Sequence, residues 1–183
     1  MLLKNSGKAP RILPPSKTVV FQGEIKMTRE EKFMKEAIAL SNTGVQNNEG
    51  GPFGCIVVKN DIIIGKGHNK VTSTNDPTAH AEIVAIRDAC KTLGTFQLDG
   101  CEIYTSCEPC PMCLGAIYWA RPTVIYYANT RSDAAEIGFD DSMIYDEINT
   151  HINKRKIPVI NLGREDAQKV FVQWLNKKNK TTY

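Results

Sequence analysis

CEIYTSCEPCPMCLGAIYWARPTVIYYA, residues 101–128, decides the fold class. Cys101–Thr105 reads as a strand, and a helix starts near Cys110 with Pro111 in its first turn, where proline is tolerated. That helix stops before Arg121-Pro122, and the β-branched and aromatic run Thr123–Ala128 follows as the next strand. Upstream, Cys55–Lys59 and Ile62–Gly67 are apolar runs separated by Asn60-Asp61, the pattern of a β-hairpin. Ala79 to Leu93 carries Ile83, Ile86 and Cys90 on one side and meets Gly94 as a stop, which predicts a helix. Thr28-Arg29-Glu30-Glu31 matches a capping box and opens an amphipathic helix over about 28–46. Downstream, a helix around 139–148, a short strand at Ile157–Ile160 and a final helix over about 164–178 complete the chain. Strands alternating with helices predict an α/β protein, a three-layer α/β/α sandwich around a mixed sheet of about five strands.

The ends read differently from this core. Residues 1–26 hold Pro10, Pro14 and Pro15 and no sustained periodicity, so they are expected to be a flexible basic extension. Lys4, Lys8, Arg11, Lys17 and Lys26 stand there against Glu24 alone, which more than accounts for the net charge of +3. Residues 27–183 hold 18 basic and 19 acidic side chains, with no excess suited to phosphate contacts. Nucleic acid is therefore not the expected partner; Lys177, Lys178 and Lys180 form only a local patch. No stretch approaches the roughly 18 apolar residues of a membrane span, and no signal-peptide pattern opens the chain. A cytoplasmic protein with reduced thiols at Cys55, Cys90, Cys101, Cys107, Cys110 and Cys113 is the expectation.

Two short patterns carry chemistry. His80-Ala81-Glu82 opens one predicted helix and Pro109-Cys110-Pro111-Met112-Cys113 opens another. Zinc takes imidazole nitrogen and thiolate sulfur in tetrahedral geometry, and Cys110 and Cys113 share a helix face at i, i+3. Helix N-termini add positive partial charge that favours the thiolates. With His80 they make only three protein ligands, which leaves the fourth position to water, as in a catalytic site. Glu82, two residues from the ligand and not itself one, is placed to move protons to and from that water. Cys55, Cys90 and Cys101 fall in apolar runs and read as inert core thiols, and Cys107 as part of the turn presenting Cys110.

The H-x-E…P-C-x-x-C arrangement is the signature of zinc nucleobase deaminases. At HAE…PCPMC the sequence resembles the cytidine deaminase superfamily, and its flanks narrow the likeness. GGPFGCIVV (50–58), NDPTAHAEIVAIRDAC (75–90), YTSCEPCPMCLGAIYWARP (104–122) and DAAEIGFDDSMIY (133–145) resemble the short, bacterial-type guanine deaminases. The likeness runs from about residue 29 to Tyr183. It implies hydrolysis of guanine to xanthine and ammonia with one zinc per chain, zinc hydroxide attacking purine C2 and Glu82 shuttling protons. It further implies Phe53 as a ring-stacking residue, Asn69 as an amide bonding the purine, and Ala81, Trp119 and Asp141 as pocket residues. Tyr183 would cap the pocket, in homodimers whose C-terminal segments, about 155–183, are exchanged.

The residues alone leave several of these open. Phe53 in its Pro-Phe-Gly turn also reads as core packing, Asn69 as a turn residue, Trp119 as core, and Asp141 as a helix cap. Guanosine deaminase and cytosine or triazine deaminases share much of the pattern. A tRNA adenosine deaminase shares its metal-binding half but calls for a basic RNA-facing surface.

Overall fold

In a computed structural model of the chain, residues 26–182 are described. The 1–25 part of the expected extension and Tyr183 lie outside them. Helix α1 spans Arg29–Gln46 and begins as its sequence requires. The Glu31 backbone N–H donates to Thr28 Oγ1 at 3.2 Å, and the Thr28 N–H donates to Glu31 Oε2 at 2.8 Å. The capping box therefore satisfies two of the helix's otherwise orphaned donors.

Strands β1 (Gly54–Lys59) and β2 (Ile62–His68) form the hairpin. Asn60 and Asp61 both take positive φ, 49° and 63°, the conformation a two-residue type I′ turn demands. A single helical turn, α2 (Val71–Thr74), leads to α3 (Ala81–Leu93). Then β3 (Glu102–Cys107), α4 (Pro111–Ala120) and β4 (Val124–Asn129) follow. β3 pairs antiparallel with β1 and parallel with β4, which α4 makes possible by carrying the chain back across the sheet. The sheet order is β2-β1-β3-β4.

Alternation along the strands builds the two outer layers. Cys55, Val57 and Ile103 face α3 and α4, packing with Ala81, Ala85, Ala89, Ile117 and Ala120. Ile56, Val58 and Tyr104 point the other way, onto Phe33, Met34 and Ala37 of α1. Arg29 ties that layer down by donating to Glu102 Oε2 at 2.8 Å and to the Tyr104 hydroxyl at 3.1 Å. This is the three-layer mixed architecture expected from the sequence.

One strand is missing from that expectation. The described sheet has four strands, and Ile157–Ile160 is extended coil with Ile157 79% and Ile160 82% exposed. Its β-branched residues suit a strand, but a strand exists only by pairing, and the segment pairs with no strand among the described residues. Helices α5 (Arg131–Glu136) and α6 (Ser142–Asn149) follow β4, then a 3₁₀ turn at Ile152–Lys154 and α7 (Arg164–Asn176). α6 starts three residues later than the pattern suggests, because Asp140 caps it: its carboxylate accepts from the Ser142 N–H at 2.9 Å. Among the described residues no helix is long and apolar enough to cross a membrane.

The seating of α3 on β2 matters most for function, because α3 begins at the metal-binding motif. It is so close that Gly67 has no room for a side chain. A Cβ there would lie 2.3 Å from the Ala81 carbonyl oxygen and 2.6 Å from the Ala85 nitrogen, both backbone. Gly67→Ala is expected to destabilise the fold by about 1–3 kcal/mol, the usual range for overpacking, as read by urea unfolding. An unchanged midpoint would mean that α3 can slide freely.

Candidate metal centre and the cavity beside it

His80 and Cys110 occupy the N-cap positions of α3 and α4. Both are extended at that point, with ψ of 157° and 167°, so each side chain leaves its helix at the entrance. Pro111 supplies the first residue of α4, where its missing N–H is no loss. Cys113, one turn on, is fully buried beneath. The two crossing helices thus bring the imidazole and both thiols together from segments about 30 residues apart.

The distances fit a metal better than they fit hydrogen bonds. Cys110 Sγ lies 3.5 Å and Cys113 Sγ 3.6 Å from His80 Nδ1, and all three donor atoms fall within 4.8 Å of one another. A tetrahedral zinc with ordinary Zn–S and Zn–N bonds sets sulfur and nitrogen about 3.6 Å apart. The donor set therefore fits the ion, and zinc is the cofactor of this centre. No other group of three such side chains converges among the described residues.

Electrostatics prepare the thiols. Cys110 is pulled down to about 4, first by its hydrogen bond with Cys113 and then by that with His80. His80 is pushed up in return, chiefly by that contact with Cys110. Cys113 goes up, because it is the donor in the thiol pair and is buried. Loading a metal that requires both as thiolates releases the Cys113 proton.

Glu82 reaches the same point from the first turn of α3 but is not within the ligand set. Its side chain is 6% exposed, and that remaining surface lines a cavity of about 490 Å3. Burial pushes its carboxyl above the ordinary carboxylate range. Two neighbours hold it: the Thr105 hydroxyl donates to Oε1 at 3.4 Å and the Cys113 thiol to Oε2 at 3.3 Å.

The cavity opens over His80, Glu82 and Cys110, and its walls gather most of the residues singled out in the sequence. Phe53 forms one wall and meets Phe139 edge-on, ring centroids 4.9 Å apart at 89°. Asn69, only 4% exposed, lines it from the end of β2. Asp141 lines it too, and its carboxylate makes no capping bond to α6, a task that Asp140 performs. Burial first, and then the Cys110 charge, push the Asp141 carboxyl up. Ala81 is buried behind the site against the core. Trp119 is 64% exposed and is not among the residues that line this cavity within one chain. The C-terminal Tyr183 lies outside the described residues.

Sequence reasoning missed four contributors. Thr105 was hidden in a strand, although the alternation Ile103, Thr105, Cys107 aims all three at the α3 side where Glu82 sits. Cys107 lines the cavity as well as shaping the turn, with its thiol pushed up to about 11 by burial. Arg131 and Phe139 reach it from α5 and the turn after it. Only tertiary packing brings that turn over the metal centre.

Similarity to known proteins extends over the same residues. Residues 27–129 match the cytidine and deoxycytidylate deaminase zinc-binding region. The guanine deaminase of Bacillus subtilis is 54% identical over 153 residues, which cover 84% of this chain and 98% of that protein. Its X-ray structure superposes on this fold with a TM-score of 0.82. A tRNA-specific adenosine deaminase of Aquifex aeolicus is 45% identical over 92 residues, 50% of this chain and 60% of its own length. The matched region contains His80, Glu82, Cys110 and Cys113 with the spacing and the three-layer frame that bring them together. The chain therefore belongs to the family defined by the cytidine and deoxycytidylate deaminase zinc-binding region.

Proposed function

We propose that the protein hydrolyses guanine to xanthine and ammonia at the centre held by His80, Cys110 and Cys113. One observation carries this: the guanine deaminase of Bacillus subtilis is 54% identical over 84% of this chain, whereas a tRNA-specific adenosine deaminase that covers the same share is 32% identical. The near-neutral balance of residues 27–183 points the same way, because RNA binding depends on basic surface.

Zinc, when held there, supplies a Lewis acid that makes water a competent nucleophile near neutral pH. Glu82 does the proton work. Its carboxylate accepts a proton from the attacking water, whose oxygen bonds to purine C2. It delivers that proton to the adjacent ring nitrogen, then takes the second proton from the new C2 hydroxyl and gives it to the amine. A C2=O bond forms, the C2–N bond breaks and ammonia leaves. Burial suits Glu82 to this cycle, since a carboxyl raised toward neutrality both takes and gives a proton more readily. The Thr105 hydroxyl holds one of its oxygens. Phe53 stacks on the purine, Asn69 bonds its edge, and Asp141 stands near the departing amine as a second carboxyl.

We further propose a homodimer that exchanges its C-terminal segment. Every described residue from Lys156 to Thr182 is exposed, including Phe171 at 72%, Leu175 at 66% and Leu162 at 92%. So much apolar surface on one arm calls for a cover, at about 25 cal/mol for each Å2 buried. Tyr118 and Trp119 on α4, 75% and 64% exposed, offer one on a second copy. Light scattering should give twice the chain mass for the intact protein and a monomer after removal of residues 156–183. A monomeric intact chain would refute the exchange.

The substrate is tested by ammonia release from zinc-loaded protein offered guanine, guanosine, cytosine and an adenosine-containing anticodon stem-loop. Guanine alone should react; activity confined to the RNA would refute the reading.

A further inference from the structure

The cavity amide Asn69 is held in one orientation by the loop that crosses it. Its Oδ1 accepts the backbone N–H of Gly51 at 3.3 Å and that of Val71 at 3.1 Å. Two backbone donors can be met only by the oxygen, so the Asn69 NH2 group is turned away from the loop. It meets no acceptor among the described residues, and no fully buried side-chain nitrogen or oxygen among them lacks a partner. The NH2 group therefore faces the cavity that Asn69 lines.

The loop can lie this close because residue 50 is glycine. A Cβ on Gly50 would fall 2.2 Å from Asn69 Oδ1 and 2.4 Å from its carbonyl oxygen. Neither neighbour can retreat cheaply. The Asn69 backbone N–H is bonded to the Phe53 carbonyl at 3.0 Å, and the next residue, Lys70, to Ala79 at 2.9 Å. On the far side, Gly51 rests on Phe139, whose ring a Cβ would meet at 2.9 Å. The loop itself would have to lift, and the Gly51 N–H would leave Oδ1.

We propose that Gly50 is a positioning residue for specificity: by letting the Gly51 N–H reach Asn69 Oδ1, it leaves the Asn69 amide a pure donor toward the substrate. The purine atom opposite must then be an acceptor with a lone pair and no proton, either an unprotonated ring nitrogen or the 6-oxygen. This rests on the guanine reading above. Its consequence is chemical selection, because a site built around a buried donor rejects a ring that presents C–H in the acceptor's place.

The test uses the full, zinc-loaded chain with guanine and a set of analogues that each lack one acceptor: deazaguanines, with one ring nitrogen replaced by C–H, and 2-aminopurine, with C–H in place of the 6-carbonyl. In the parent protein one analogue should show a KM at least about tenfold above that of guanine. In Gly50→Ala the KM for guanine should itself rise about tenfold and this discrimination should fall to within about twofold, with zinc still at one per chain. Asn69→Asp keeps an oxygen for the two backbone donors but turns an acceptor to the cavity, so it should lose the same discrimination whether or not Gly50→Ala folds. Discrimination that persists in both variants, or that the parent never shows, overturns the inference while leaving guanine as substrate. A parent protein inert toward guanine overturns the substrate reading and this inference with it.

Discussion

Glu82→Gln is expected to lower kcat on guanine by about a thousandfold or more while leaving one zinc per chain. The magnitude is that of a positioned acid–base group, about 10²–10⁴, at a site where one carboxyl serves both halves of the reaction. The substitution keeps the side chain's shape and the Thr105 hydrogen bond to one oxygen. It removes the atom that takes the proton and nothing that holds the metal, since the ligand set is His80, Cys110 and Cys113. Metal analysis beside steady-state kinetics checks both halves. Loss of zinc in Glu82→Gln would make Glu82 a ligand and not a shuttle.

Cys113→Ala is expected to fail in the opposite way, losing zinc and activity together. Cys113 is fully buried, so no water or neighbouring donor can easily replace its sulfur. Its loss leaves His80 and Cys110 as a pair too sparse for a catalytic zinc, which needs three protein ligands. Zinc content should fall below about a tenth of one per chain, and added zinc should not restore turnover. Stoichiometric zinc in Cys113→Ala would show that the ligand set has been misassigned.

The contrast between these two variants would separate what holds the metal from what moves the proton, and the metal-binding group was legible from local sequence. His80 and Cys110 are helix entrances written in short range, with Pro111 confirming the second. The capping box at Thr28 and the Asn60-Asp61 turn are local in the same sense, their geometry depending on residues one to three positions apart. What sequence hid was nonlocal. Ile157–Ile160 carries strand-forming residues yet no partner strand, and pairing is not a property of a segment. Thr105 sits in an ordinary strand until α3 crosses it and brings Glu82 to its hydroxyl. Asp141 could have been a helix cap, and the difference was made by Asp140 beside it, which took the Ser142 N–H first. Trp119 looks like core by hydrophobicity, but its position late in α4 turns it outward.

The central claim is water addition at purine C2 by this centre, and the mass of the product tests it most directly. Zinc-loaded protein incubated with guanine in heavy-oxygen water should yield xanthine carrying one heavy oxygen per molecule, with ammonia in equal amount. The Glu82→Gln protein, at the same zinc content, should yield almost none. Unlabelled xanthine, or guanine returned intact while an RNA adenosine is converted, would contradict the account.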